Sequence, residues 1–435
     1  MISSLHLNRK AGIDGSGNKR AAYSNSFKSQ FLIRARISMG WMTQSLGLKD
    51  QAMYHLKAAA KQATEQEQFD EALHAMYNLA SLYVVSGNSE ERLELLNAAN
   101  QLEHERHAYY RVLELYGNHV QGRLLNLPKP QFATEQAMLD ELETLKATAS
   151  SSRFNYFYQQ IQYSVATLHN DAGRAEKAAN AMLEIVLTSI PLKQPPTIAF
   201  CFALIGEIQL SKLDFIGAEA SIEQALNHTI PDEANHAVRC HQLALALYYQ
   251  NEINQALKVI DTGISTATKG NPFVLAKLQL TKASIQLAAG QPTKAYHTLQ
   301  LTTPLDEDKA EWNIAARVLA IITLMARDNF NQASSQITAL TQHIRRHRNS
   351  TKISKRLLAI EEILAYWDKT GNHYELTHQH CLNLFTKLDA AAGEYQWQPD
   401  GLELIVFSHW YKDKLEGTPY KFRLPGGGLT EKVTA

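Results

Sequence analysis

The chain has 435 residues, more than one compact core usually holds, so it reads as several domains or as a one-dimensional array. Its 43 Lys and Arg balance 43 Asp and Glu, which removes any global attraction to nucleic acid or an anionic membrane and leaves only local patches to argue for one. No apolar run approaches the roughly 20 residues that span a bilayer, and the cysteines, Cys201, Cys240 and Cys381, lie far apart without CxxC spacing, so a soluble protein of the reducing cytoplasm is expected, with no disulfide framework and no cysteine zinc site.

At the N-terminus, residues 1–38 carry seven basic side chains against Asp14 alone. The profile is shared with transit peptides, but no clean amphipathic helix accompanies it. Gly12, Gly15 and Gly17 precede Lys19, yet no apolar strand leads into them and no Ser or Thr follows the lysine, which excludes a phosphate loop. Residues 1–30 are therefore expected to form a flexible basic arm.

Beyond the arm, helical periodicity runs through the chain and strand signals are nearly absent. Prolines fall where helices should stop, as in "NLPKPQF", "SIPLKQPPT", "HTIPDE", "KGNPF" and "LTTPLDE". Small residues recur twelve positions apart: Gly40 and Ala52, Ala166 and Ala178, Gly206 and Ala218, Ala244 and Ala256, Ala283 and Ala295. Ile321 with Ala333 keeps the second of the pair, Ala80 with Arg92 keeps the first, and Leu364 with Leu376 keeps neither. Four residues after the second position comes an apolar side chain on the same helical face: Leu56, Leu96, Met182, Ile222, Ile260, Leu299 or Ile337. The period is near 40 residues, with a longer step over 103–150 that reads as an extra hairpin, making nine. The small pair marks where two helices of one hairpin approach closely.

This pattern resembles the tetratricopeptide repeat, a helix-turn-helix unit of 34 residues in its commonest form, over roughly residues 33–390. Gly40, Gly47 and Ala52, and again Ala166, Gly173 and Ala178, carry the likeness; Gln162 and Cys240 stand where the family usually has a tryptophan. The resemblance implies an all-α, right-handed superhelical solenoid over 31–392. After it, residues 393–416 are expected to form a capping helix bearing Leu402, Ile405, Val406 and Trp410, and 417–435 a mobile tail unless Tyr420 and Phe422 dock.

In such a superhelix the second, fifth, ninth and twelfth places of the first helix face a concave groove. The resemblance puts Arg34, Trp41, Tyr77, Gln160, Tyr163, Asn170, Glu207, His241, Tyr248 and Lys277 there, with Phe200, a mix of aromatic anchors and polar groups suited to an extended peptide or a partner helix. For any one of them, Phe200 and Tyr248 especially, packing between neighbouring hairpins is the competing role. The Lys and Asn clamp that some family members use on acidic chaperone tails is missing, since Ile37 with Trp41 and Tyr77 with Ser81 hold the matching places.

Catalytic and metal signatures are absent. His236 with Cys240 and His343 with His347 share helix faces, and "HQHC" at 378–381 mixes faces, but none has a third ligand at a closing distance in sequence. There is neither HExxH nor GxSxG, so no cofactor, no metal and no enzymatic activity are expected. The run "HIRRHRNSTKISKR", 343–356, holds six bases and no acid; with Arg345, Arg346 and Arg348 it reads either as a solvated helix end or as a polyanion site, although no aromatics are interleaved for base stacking. Residues 39–150 hold fifteen acids against nine bases, which leaves self-association through opposite charge open. The expected function is a protein-protein interaction scaffold that binds a partner's peptide or helix; the alternatives are a peptide-sensing regulator and a nucleic-acid binder using 343–356.

Overall fold

The structure is a computed structural model and describes residues 17–121, 134–231, 234–267, 272–302, 312–347, 353–399 and 401–426. The described residues are helical, with no strand among them. They fall into two compact units, Met1–Ile205 and Gly206–Ala435.

The first unit contains α1 (Gly17–Ser45), α2 (Lys49–Glu65), α3 (Phe69–Ser86), α4 (Ser89–Tyr116), α5 (Glu135–Lys146), α6 (Ser152–Leu168) and α7 (Ala172–Thr188). The division between units falls within α8 (Pro195–Ser211). The second unit continues with α9 (Phe215–Asn227), α10 (Ala234–Tyr249), α11 (Ile253–Ala267), α12 (Pro272–Ala288), α13 (Pro292–Gln300), α14 (Trp312–Ala326), α15 (Phe330–His347), α16 (Lys355–Lys369), α17 (Tyr374–His380), α18 (Leu382–Leu388) and α19 (Phe407–Glu416). Within each unit consecutive helices pack against each other, and alternate helices touch as well: α1 with α3, α10 with α12, α12 with α14. Each unit is thus an array of hairpins.

The hairpins close in one way. At nine of the described turns the last helical residues are followed by a left-handed residue: Gly47, Glu67, Gly87, Asn170, Leu213, Asn251, Gly290, Asp328 or Gly371. The next amide then donates back five residues, as Leu48 N does to Thr43 O, Asp214 N to Gln209 O and Glu252 N to Leu247 O, satisfying carbonyls that the helix end would leave open. In seven of those turns the left-handed residue lies five positions before the second residue of a twelve-spaced pair, a rule that ties turn to packing. Ala52, Ala218, Ala256, Ala295 and Ala333 are all fully buried. A methyl on Gly40 would fall 2.7 Å from Leu56 Cγ, and one on Gly206 would fall 2.6 Å from Ile222 Cγ1. The side chain each glycine meets is the apolar residue four places after the small partner.

One pair is out of register. Because Asn170 is the left-handed residue of its turn, Tyr163 and Ala175, and not Ala166 and Ala178, hold the places that Gly206 and Ala218 hold in theirs. Both alanines are buried, so the apolar pattern alone could not separate the two readings. Over 103–150 the extra hairpin has no separate first helix. Instead α4 runs on for 28 residues, and its second half packs on α5 through Val112, Leu115, Met138 and Leu142 and through Arg111 donating to both oxygens of Glu141. Two carboxylates then seat α6: Glu105 accepts from the Ser150 and Ser151 amides, and Glu67 from those of Ser152 and Arg153, placing negative charge on a helix N-terminus.

The ends differ from expectation. Residues 1–16 lie outside the described residues, but α1 already begins at Gly17, because nothing in "NKRAAYSNSFKSQ" breaks a helix. At the other end, Arg356 is only 8 % exposed and grips the C-terminal segment. Its Nε and Nη2 donate to the two oxygens of Glu403, and Nη1 donates to the carbonyls of Leu388 and Tyr395. Glu403 also accepts from the Phe407 amide, which starts α19. The segment 417–426 is packed and not loose, since Phe422 is 2 % exposed; residues 427–435 lie outside the described residues.

Gly206→Leu and Gly40→Leu are expected to destabilise by about 1–3 kcal/mol each through overpacking. Gly117→Ala, at φ −58° with nothing within 4 Å of the added methyl, should instead gain a few tenths of a kcal/mol. Thermal unfolding followed by circular dichroism checks both signs. Arg356→Ala strands the Glu403 carboxylate and should cost about 3–5 kcal/mol, read in the same way.

Candidate functional site

In the first unit three helices present parallel stripes: Arg34, Ser38 and Trp41 on α1; Asp70, His74 and Tyr77 on α3; Glu103, Arg106 and Tyr110 on α4. Each stripe follows the spacing of one helical face. Arg34 donates from Nε and Nη2 to Glu71 Oε1 at 2.9 and 2.7 Å. Arg106 bridges Asp70 and Glu103, at 3.2 and 2.7 Å. Tyr110 donates to Asp70 at 2.7 Å, and that bond to a carboxylate holds its phenol up at about 12. Tyr77 donates to Glu103 at 3.3 Å, and burial with that carboxylate nearby raises it too. These bonds fix the polar groups and leave the ring faces to solvent.

Between α1 and α3 lies an open pocket of about 340 Å³, lined by Arg34, Ile37, Ser38, Trp41, Asp70, Glu71 and His74. Trp41 is 49 % exposed and meets His74 edge to face at 5.1 Å; Tyr77 is 42 % exposed. Arg34, Trp41 and Tyr77 therefore come together as neighbours on one face. His74 holds the second motif place of its hairpin, so the same rule that named Tyr77 could have named it. Asp70, Glu71, Arg106 and Tyr110 are legible only once the stripes are aligned in space.

The remaining places behave differently. Gln160 is buried and donates to the Tyr156 hydroxyl, Tyr163 and Phe200 are half-buried, and Asn170 is the left-handed residue of a turn, so the slipped register took Gln160 and Asn170 off the groove. In the second unit Tyr248 is 1 % exposed and donates to Leu404 O; it is core. His241 is buried with Nε2 2.9 Å from Thr281 Oγ1, and burial, with the Lys277 charge nearby, holds its imidazole well below its usual range. Glu207 accepts from Gln242, which in turn accepts from Arg239, while Lys277 Nζ lies 5.4 Å from the centre of the Trp312 ring. Tyr248 and His241 thus belong to the interior, whereas Lys277 is half-buried and Glu207 is exposed.

Of the basic run, Arg345 and Arg346 are exposed at the end of α15, and Arg348 lies outside the described residues. Lys355 pairs with Glu394, and Arg356 is committed to Glu403. Burial pushes the Cys240 thiol up to about 11 and the Cys201 thiol up to about 12, which makes both poor nucleophiles. Among the described residues no group of three His, Cys, Asp or Glu side chains could hold a metal ion, and no helix is long and apolar enough to cross a membrane.

His241 sets a pH dependence. An imidazole held neutral in the folded state binds its proton only in the unfolded chain, so stability is full above about 6.5 and is lost as pH falls below it. His241→Gln should flatten that loss, measured as unfolding temperature against pH.

No protein-family model matches the chain, and no curated protein matches its sequence. Among solved structures it is similar to the crystal structure of the P58(IPK) TPR domain, covering 88% of this chain and 99% of that one at 12% identity, with a TM-score of 0.24.

Proposed function

We propose that the chain is a non-catalytic, tetratricopeptide-like scaffold of the cytoplasm that captures a peptide or helix of a partner protein on the face of its first unit. The observation that carries the reading is the row of exposed aromatics, Trp41, Tyr77 and Tyr110, beside a pocket whose charged walls are already paired. Aromatic rings supply contact area at little entropic cost, and hydrogen-bonded hydroxyls hold two of these three in place before a partner arrives. Arg34, Glu71, Asp70 and His74 give polar contacts that set register around them. The carboxylates exceed the guanidinium groups by one across Glu71, Asp70, Glu103, Arg34 and Arg106, so a partner segment with a basic residue between apolar ones fits best.

The hairpins of 31–392 act as the scaffold and the helix within 393–416 as its cap. Polyanion binding through 343–356 has less support, because Lys355 and Arg356 are engaged within the chain.

A partner recovered by affinity capture from the native cells should be lost when Trp41→Ala and Tyr77→Ala are combined, with helical circular dichroism and unfolding close to wild type. Each single change should weaken binding by about 1–2 kcal/mol or more if the ring is an anchor, measured by calorimetry. Normal binding by the double variant would refute the assignment of this face.

A further inference from the structure

In the second unit the segment 417–426 packs against a cluster of aromatic rings. After α19 the backbone turns at Gly417, which is left-handed at φ +66°, and leaves Thr418, Pro419 and Lys421 in solvent. Phe422 then enters a cage of four rings, with centroids 4.7 Å from Tyr249, 5.3 Å from Trp397, 5.9 Å from Tyr248 and 6.1 Å from Phe215. Asn251, the left-handed residue between α10 and α11, holds the Phe422 main chain at both points: its Oδ1 accepts from the amide at 3.1 Å and its Nδ2 donates to the carbonyl at 3.3 Å. Two positions earlier, Tyr420 accepts from the Val406 amide through its hydroxyl. Arg423 closes the segment on the buried carboxylate of Asp413 at 2.7 Å.

Most of this site belongs to the hairpins and to a fixed part of the cap. Phe215, Tyr248, Tyr249 and Asn251 come from α9, α10 and the turn after it, and Trp397 is tied by its indole N–H to Glu403 O, hence to Arg356. The occupant is irregular chain that touches the site through two rings at alternate positions and one main-chain grip. A side-chain amide that satisfies both the N–H and the C=O of one residue recognises an extended backbone whatever its neighbours, while the ring cage supplies the selection.

We propose that this cage is a peptide-binding site for an extended aromatic-x-aromatic segment, occupied in cis by Tyr420–Phe422, so that the second unit is closed to such peptides until the tail is displaced. A tether as short as Gly417–Pro419 gives the tail an effective concentration on the order of mM. A free peptide therefore competes only when the internal anchor is weakened. The inference concerns the second unit and stands or falls separately from the binding face of the first.

The probe is a fluorescein-labelled peptide of residues 416–426, followed by anisotropy with the full-length protein. Wild type should bind it weakly and Phe422→Ala at least tenfold more tightly. The gain should vanish when Asn251→Ala is added, or when the peptide's own phenylalanine is replaced by alanine. In a second form, a site-specific protease sequence is inserted after Gly417 and the folded protein is cut; the severed tail should exchange with excess labelled peptide. Equal binding by wild type and Phe422→Ala would overturn the proposal. So would a cut tail that never exchanges, or unfolding of both altered proteins, since the segment would then be an inseparable part of the core.

Discussion

The distance between the two helices of a hairpin governs the rest of this chain. Where Gly40 lies over Leu56 and Gly206 over Ile222, a single added methyl would intrude to below 3 Å, so the contact admits hydrogen and nothing larger. That close approach brings the apolar stripes together and lets the turn close in few residues. The left-handed residue, the back-donated amide and the small partner five positions on act as one device repeated along the array. Because the device fixes which side of each helix is buried, it also fixes which side chains are left outward.

The two units use that outward side in opposite ways. In the first, Trp41 and Tyr77 remain open and their polar neighbours are paired among themselves, which keeps charge out of the core and rings available at the surface. In the second, Tyr248 is buried against the Phe422 ring, and its hydroxyl donates to the main-chain carbonyl of Leu404, in the segment that leads into α19. Burying a tyrosine hydroxyl is tolerable only with such a partner, which is why the ring and the capping segment belong together.

Electrostatics acts locally in this neutral chain. A buried ionic feature is the Arg356 and Glu403 pair, where four donated bonds and an accepted amide leave neither charge uncompensated in a low-dielectric setting. It joins α16 to the cap and takes the last base of a run that looks like a polyanion site when read linearly. Glu67 and Glu105 play a comparable part at the start of α6. In both places a charge counted as surface in the sequence is structural in the fold.

The sequence by itself determined the all-helical class, the twelve-residue spacing and the positions of most turns, since these follow from local rules: small residues at contacts, proline at stops, glycine or asparagine where φ is positive. The family resemblance pointed to Arg34, Trp41 and Tyr77 as outward, and all three are exposed. Tertiary structure alone decided the slipped register at Asn170, because Ala178 and Ala175 are equally apolar and only the turn's hydrogen bonds separate them. It decided that α4 runs unbroken through the expected extra hairpin, that Asp70 and Glu71 line a pocket with Trp41, and that Arg106 and Tyr110 reach Asp70 from α4. And it decided the fate of Tyr248 and Phe422, whose meeting joins residues 174 positions apart: local propensity carries no information about which aromatic a tail will find, and only the completed array presents the cage that receives it.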